Sequence, residues 1–175
     1  MNYAIIAAGN GSRLAAEGVE YPKPLVPMCG RPMIGRLIDI FAGCGAESVS
    51  VIVNEEMTEV ADYLRGRAAE MPSLHVTVKS TPSSMHSFHE VASLLPPGKF
   101  ILTTVDTIFR PDTFRRYAEA FAVDTAADGF MAGTDYIDDE KPLYIGVDSD
   151  MRITAFSDTP LPGQRYISGG IYGLQ

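Results

Sequence analysis

An α/β fold on a mainly parallel sheet is predicted by three features of the sequence. The continuous apolar run Tyr3–Ala8 and the run Phe100–Val105 read as strands buried on both faces, and Ser48–Val53 reads as a further strand. Between them lie segments whose apolar residues recur at helical spacing. Strand thus alternates with helix from residue 3 to about residue 121, the pattern of βαβ units.

In chain order, Tyr3–Ala8 ends in glycine and is the first strand. Met33, Ile34, Leu37, Ile38 and Phe41 form the apolar stripe of a helix that Gly43-Cys44-Gly45 stops. Ser48–Val53 is the second strand, and Met57–Glu70 a helix with Val60, Ala61 and Leu64 inward. His75–Val78 is a short strand, and Ser87–Leu95 a helix ended by Pro96-Pro97-Gly98. Phe100–Val105 is a buried strand leading to Asp106, and Pro111–Phe121 a helix with proline in its first turn. Beyond it, Gly129–Gly133, Leu143–Val147, Ile153–Phe156 and Tyr166–Tyr172 are strand-like with no long helix between them. Asp148-Ser149-Asp150 reads as a hairpin turn. The expectation is a single domain over 1–175. Its ending on an apolar strand, without a closing helix, predicts that the natural protein continues past Gln175.

Composition narrows the function. The 175 residues suit one sizeable domain, 46% hydrophobic and 21% charged. A net charge of -8 argues against a nucleic-acid or anionic-membrane surface, although local cations can still bind a phosphate. The first apolar run is too short to span a membrane and lacks a basic leader, so neither anchor nor signal peptide is expected. Cys29 and Cys44 lack metal-ligand spacing and read as small, buried or half-buried hydrophobes in a reduced, cytoplasmic protein.

In open α/β sheets, ligands bind beyond the carboxyl ends of the strands, near a reversal in strand order. The loop Gly9-Asn10-Gly11-Ser12-Arg13 and Asp106 each follow a strand directly. If those strands are neighbours, both groups open onto one crevice. Glycines at 9 and 11 let backbone N–H groups approach an anion, Arg13 adds a forked cation and Lys23 a compact one. Leu14 stands where the dinucleotide fingerprint and the P-loop each require glycine, which disfavours both.

"AAGNGSRL" followed by "PKPLVPMCGRPMI", whose lysine lies ten residues after the arginine, resembles the nucleotidyltransferase family that includes the sugar-1-phosphate nucleotidylyltransferases, or NDP-sugar pyrophosphorylases. "SVSVIVNEEMTEVADYL", "ILTTVDTIF", "YIGVDSDMRITAFSDTP" and "YISGGIYGL" resemble its later elements, so the resemblance runs along nearly the whole chain. It implies a three-layer, Rossmann-like nucleotide-diphospho-sugar transferase fold with a mixed central sheet. It also implies Mg²⁺ as cofactor, with a nucleoside triphosphate, a phosphorylated small-molecule acceptor and a homo-oligomeric partner among the expected partners. By the resemblance, Arg13 and Lys23 are catalytic, Ala8, Gly9, Gly11 and Ser84 bind nucleotide, Asp158 and Gly170 bind acceptor, and Asp106 holds the metal.

The chain also departs from the family pattern. Where members show F-x-E-K-P, with a lysine for the acceptor phosphate, this chain has Phe156-Ser157-Asp158-Thr159-Pro160. Ser83-Ser84-Met85-His86-Ser87 replaces a G-T-A-type contact and is closer to the helix start of some phosphocholine cytidylyltransferases. The second metal ligand of the family would lie beyond Gln175. Nucleotidyl transfer to a sugar 1-phosphate is the first expectation, and a cytidylyltransferase for a small phosphorylated alcohol the second. A nucleotide-binding sensor that has lost catalysis is the third. His86 and His89, three apart with no third ligand evident, read as surface or packing residues, and Asp135–Lys141 as a solvated loop.

Overall fold

The computed structural model describes residues 1–9, 18–137 and 141–175. Strands β1 (Asn2–Ile6), β4 (Ser48–Val53), β5 (Leu74–Val78), β6 (Phe100–Thr104), β7 (Gly129–Thr134), β8 (Tyr144–Val147), β9 (Ile153–Ser157) and β10 (Tyr166–Leu174) form one sheet. Two short strands, β2 (Pro27–Met28) and β3 (Arg31–Pro32), make a separate hairpin. Among the described residues four α-helices connect them: α1 (Met33–Gly43), α2 (Thr58–Glu70), α3 (Ser84–Ala92) and α4 (Pro111–Val123).

The sheet order is β5-β4-β1-β6-β10-β8-β9, with β7 also pairing β10. The β1–β4, β1–β6 and β4–β5 pairs are parallel, while β10 runs antiparallel to β6, β7 and β8. This is the expected mixed sheet. Parallel strands need crossovers, and the helices that supply them cover both faces, so β1 is buried but for the half-buried Ile6 and β4 is buried throughout. Tyr3 and Ile5 of β1 pack with Ile34, Leu37 and Phe41 of α1, Val60 and Leu64 of α2, and Phe114 and Phe121 of α4. The Tyr3 and Phe41 rings stack with centroids 4.7 Å apart, and Phe41 meets Phe114 at 5.0 Å. Burial pushes the Tyr3 hydroxyl up to about 12. The alternate residues Ala4, Ile52 and Leu102 face Val91 of α3. The result is three layers.

Most element boundaries match the expectation, and two do not. Helix α3 begins at Ser84 rather than Ser87, because Ser83 is its cap and accepts from the amide of His86. The hairpin β2–β3 was not foreseen. Cys29 and Gly30 occupy its turn with φ of +50° and +80°, the pair of left-handed residues a type I′ turn requires. Its paired prolines, Pro27 and Pro32, mask a strand signal that would otherwise be readable. Cys29 is therefore exposed at a turn, not packed inside, while Cys44 is half-buried. The hairpin turn at Asp148 is present, with Asp148 Oδ1 accepting from the amides of Asp150 and Arg152 at 2.9 Å each.

Candidate active site

Strand β1 lies at the point where the strand order reverses. Its neighbours are β4 on one side and β6 on the other, with Ile6 level with both Ile52 and Thr104. The three strand ends are tied together: Ala7 N donates to Ile52 O at 2.9 Å and Val105 N to Ile6 O at 3.1 Å. A crevice at the carboxyl ends of β1 and β6 follows from this topology. Ala8 and Gly9 leave β1 directly into it, with Gly9 exposed. Gly11 and Arg13 lie outside the described residues.

Lys23 and Asp106, 83 residues apart in sequence, meet at this crevice. Lys23 opens a single 3₁₀ turn, Lys23–Leu25, between Pro22 and the buried Pro24. Both prolines fix φ, and Leu25 N donates to Pro22 O at 2.8 Å, so the backbone that carries the lysine is held. Asp106 sits in the turn after β6. Lys23 Nζ donates to Asp106 Oδ2 at 2.5 Å, with side chains 30% and 46% exposed. Burial by itself would push the Asp106 carboxyl up, but hydrogen bonds from Lys23 and Thr104, with the lysine charge, outweigh it and hold the carboxyl below the usual carboxylate range.

Two threonines and a glycine build the wall beside Asp106. Thr104 Oγ1 and Thr107 Oγ1 are 2.9 Å apart, and Thr107 Oγ1 donates to the carbonyl of Gly170 at 3.2 Å. Gly170 has φ +71°, and a Cβ there would lie 2.5 Å from Thr107 Oγ1. It occupies the irregularity at which β10 shifts register between Ser168 and Tyr172. Gly170 thus lies against the threonines beside Asp106.

Sequence reasoning missed three residues here. Thr104 and Thr107 carry no motif, since hydroxyls near a strand end are ordinary. Asn54, buried at the end of β4, donates through Nδ2 to the carbonyl of Ala8 at 3.2 Å. Its Oδ1 accepts from the amides of Glu56 and Met57 at 2.9 and 3.1 Å, opening α2. A polar residue directly after the apolar run Val51-Ile52-Val53 was the available signal.

The other expected site residues are more distant or locally engaged. Ser84 is exposed in the first turn of α3, beside its cap Ser83, whose Oγ lies 2.8 Å from His86 Nδ1. Asp158 is exposed beyond β9, and β10 and β8 intervene between β9 and β6. Ser157 Oγ accepts from the amide of Thr159 at 3.0 Å, which shapes the turn around Asp158. A cleft of about 370 Å³ lies elsewhere, lined by Met28, Arg31, Arg36, Ile40 and Arg115 among others, and contains none of the expected site residues.

The residues at the crevice fit a hard divalent cation. Among the described residues no group of three or more His, Cys, Asp or Glu could hold a metal by itself. Mg²⁺ asks for less, since it keeps waters and takes one or two carboxylates with phosphate oxygens. Asp106 is a carboxylate, half exposed, already selecting a positive group in the form of the Lys23 ammonium. That is the donor chemistry such an ion needs.

Residues 3–153 match the model of the MobA-like NTP transferase domain. The chain belongs to the MobA-like NTP transferase family. Within this family's range, the chain is 31% identical over 157 residues to the CMP-5'-(3-aminopropyl)phosphonate synthase of Streptomyces rubellomurinus, covering 78% of this chain and 24% of that protein. It is 29% identical over 107 residues to the 2-aminoethylphosphonate cytidylyltransferase of Lancefieldella rimae, covering 61% of this chain and 43% of that one. The chain therefore spans less than half the length of either relative. The fold also matches the inositol-1-phosphate CTP transferase of T. maritima with a TM-score of 0.78 and 18% identity, covering 99% of this chain and 69% of that one. The Rossmann-like transferase fold expected from the resemblance to nucleotidyltransferases is thereby shown. No helix among the described residues is long and apolar enough to cross a membrane.

Proposed function

We propose that this MobA-like domain transfers a nucleotidyl group from a nucleoside triphosphate to a small phosphorylated or phosphonate acceptor, with Mg²⁺ as cofactor. The observation that carries the reading is the meeting of Lys23 and Asp106 at the point where the strand order reverses. A cation for phosphate and a carboxylate for a metal are thus placed together beyond the end of β1, where the glycine loop leaves the sheet.

In this reaction an acceptor oxygen attacks the α-phosphorus and forms a new P–O bond. The bond from the α-phosphorus to the bridging oxygen breaks, and its electron pair leaves with pyrophosphate. Such transfers are catalysed mainly by positioning and charge neutralisation. The backbone of Ala8, Gly9 and Gly11, with Ser84, holds the nucleotide, and Arg13 takes the β- and γ-phosphates. Lys23 contacts the α-phosphate, where charge builds in the transition state. Asp106 would hold Mg²⁺, which supplies further neutralisation of the triphosphate oxygens. Thr104 keeps the carboxylate oriented. Asp158 and Gly170 are assigned to the acceptor.

For the acceptor, a small amine-bearing phosphonate or phosphate monoester, with CTP as donor, is the reading we favour. Thr159 stands where sugar-specific members carry the acceptor lysine, and the two relatives above are named for aminoalkyl phosphonates. A sugar 1-phosphate is the second reading, favoured by the motif resemblance of residues 3–34. A reduced cytoplasm is the compartment that suits it, and the free thiols Cys29 and Cys44 are compatible. The test is pyrophosphate release with four NTPs against 2-aminoethylphosphonate, phosphocholine and sugar 1-phosphates. Release with CTP and an amine-bearing acceptor is expected. Release only with sugar 1-phosphates moves the assignment to the second reading, and CTP binding without release under any pairing makes the domain a sensor.

A further inference from the structure

We infer that the Lys23 ammonium occupies the place of the metal on Asp106 while no nucleotide is bound, so that triphosphate binding opens the metal site. This rests on the proposed role of Asp106 as metal ligand.

Lys23 Nζ is 2.5 Å from Asp106 Oδ2. A magnesium ion needs a carboxylate oxygen at about 2.0–2.1 Å. An ion at that distance from Oδ2 would share this oxygen with the ammonium, two like charges within a few ångströms of each other on one carboxylate. The two cations therefore compete for Asp106, and metal binding is favoured once the lysine has turned away. Lys23 can leave cheaply because only its side chain must turn. Its backbone is fixed by Pro22 and Pro24 and by the Leu25-to-Pro22 hydrogen bond, while the stem has four rotatable bonds. The carboxylate stays oriented when the lysine goes, because Thr104 also bonds it and Thr107 braces Thr104 at 2.9 Å.

A triphosphate offers the ammonium a stronger anionic partner and brings oxygens that complete the coordination of the metal. Nucleotide and metal thus each remove the other's obstacle, which is positive coupling beyond their direct chelation. The metal on its own pays the loss of the ion pair. The cost has a clear signature: deleting the ammonium should improve metal binding in the absence of nucleotide, although the same change harms nucleotide binding.

The experiment is a Mn²⁺ titration of the chain alone, followed by the electron paramagnetic resonance signal of the free ion. It compares wild type, Lys23→Met, Asp106→Asn and the double variant, each first checked for a native circular dichroism spectrum. Methionine keeps an apolar stem of similar length. Partly exposed pairs are worth little, so Lys23→Met should tighten Mn²⁺ binding by about three- to fivefold. That gain should vanish in Lys23→Met/Asp106→Asn. Unchanged or weaker binding in Lys23→Met, while Asp106→Asn weakens it, overturns the inference but leaves Asp106 as ligand. A gain that persists in the double variant is a general charge effect and also overturns it. Binding insensitive to Asp106→Asn in every background removes the metal assignment itself, and the inference with it.

Discussion

The amide of Asn54 donates to the carbonyl of Ala8 at 3.2 Å, tying the end of β4 to the residue from which the glycine loop departs. The same side chain starts α2 through its Oδ1, so one residue serves both the helix and the start of the glycine loop. These functions are separable. Asn54→Asp keeps the acceptor for Glu56 and Met57 but sets a carboxylate oxygen against the Ala8 carbonyl. Triphosphate affinity should fall about tenfold, as expected for losing a bond worth ~1–1.5 kcal/mol. The urea midpoint should move less than in Asn54→Ala, which also loses the start of α2. Calorimetry with CTP and urea unfolding on both variants check this, and equal CTP affinity in Asn54→Asp and wild type would refute it.

Gly170 should not tolerate a side chain. Its φ of +71° costs an L-residue roughly 1–2 kcal/mol, and a Cβ would lie 2.5 Å from Thr107 Oγ1. Gly170→Ala is therefore expected to lower stability by about 1–3 kcal/mol in denaturant unfolding. Adding Thr107→Ala removes the steric part but not the backbone part. The double variant should recover a fraction of the loss, and full additivity of the two losses would disprove the clash.

The ion pair at the crevice predicts a pH dependence of definite sign. The Asp106 carboxyl is held low in the folded protein, so its contribution is present above the unfolded carboxylate value of about 3.9. It is lost as pH falls through the lower, folded value. Because both partners are partly exposed, the contribution is under about 1 kcal/mol. Wild type should exceed Asp106→Asn slightly in stability at pH 7, and the gap should close below about pH 4. A gap that widens on acidification would mean the carboxyl is raised instead.

The strands, the helices and the approximate place of the site were legible in the sequence for physical reasons. A parallel strand covered on both faces is rich in apolar residues, so β1, β4 and β6 announce themselves, and Gly9, Asn54 and Asp106 mark where the chain leaves them. What pattern cannot supply is which exits are neighbours. The pairing of β1 with β6, and with it the contact of Lys23 with Asp106, depends on strand order fixed by the whole fold. Short-range chemistry was lost where it cut against composition. Pro27 and Pro32 conceal the hairpin around Cys29-Gly30, and capping by Ser83 starts α3 at Ser84, three residues before the expected Ser87. Thr104 and Thr107 become meaningful only once Gly170 is brought against them from β10.

The central claim is that the crevice between the ends of β1 and β6 binds a nucleoside triphosphate through a metal on Asp106. Calorimetric titration of CTP with and without Mg²⁺, on wild type and Asp106→Asn, addresses it most directly. Asparagine keeps the shape and one oxygen but removes the charge that attracts a hard cation. Wild type should bind CTP more tightly with Mg²⁺ than without, and Asp106→Asn should lose that enhancement, weakening Mg²⁺-dependent binding by about tenfold or more while metal-free binding stays nearly unchanged. Superimposable isotherms for the two proteins in Mg²⁺ would contradict the claim and place the metal, or the nucleotide, elsewhere.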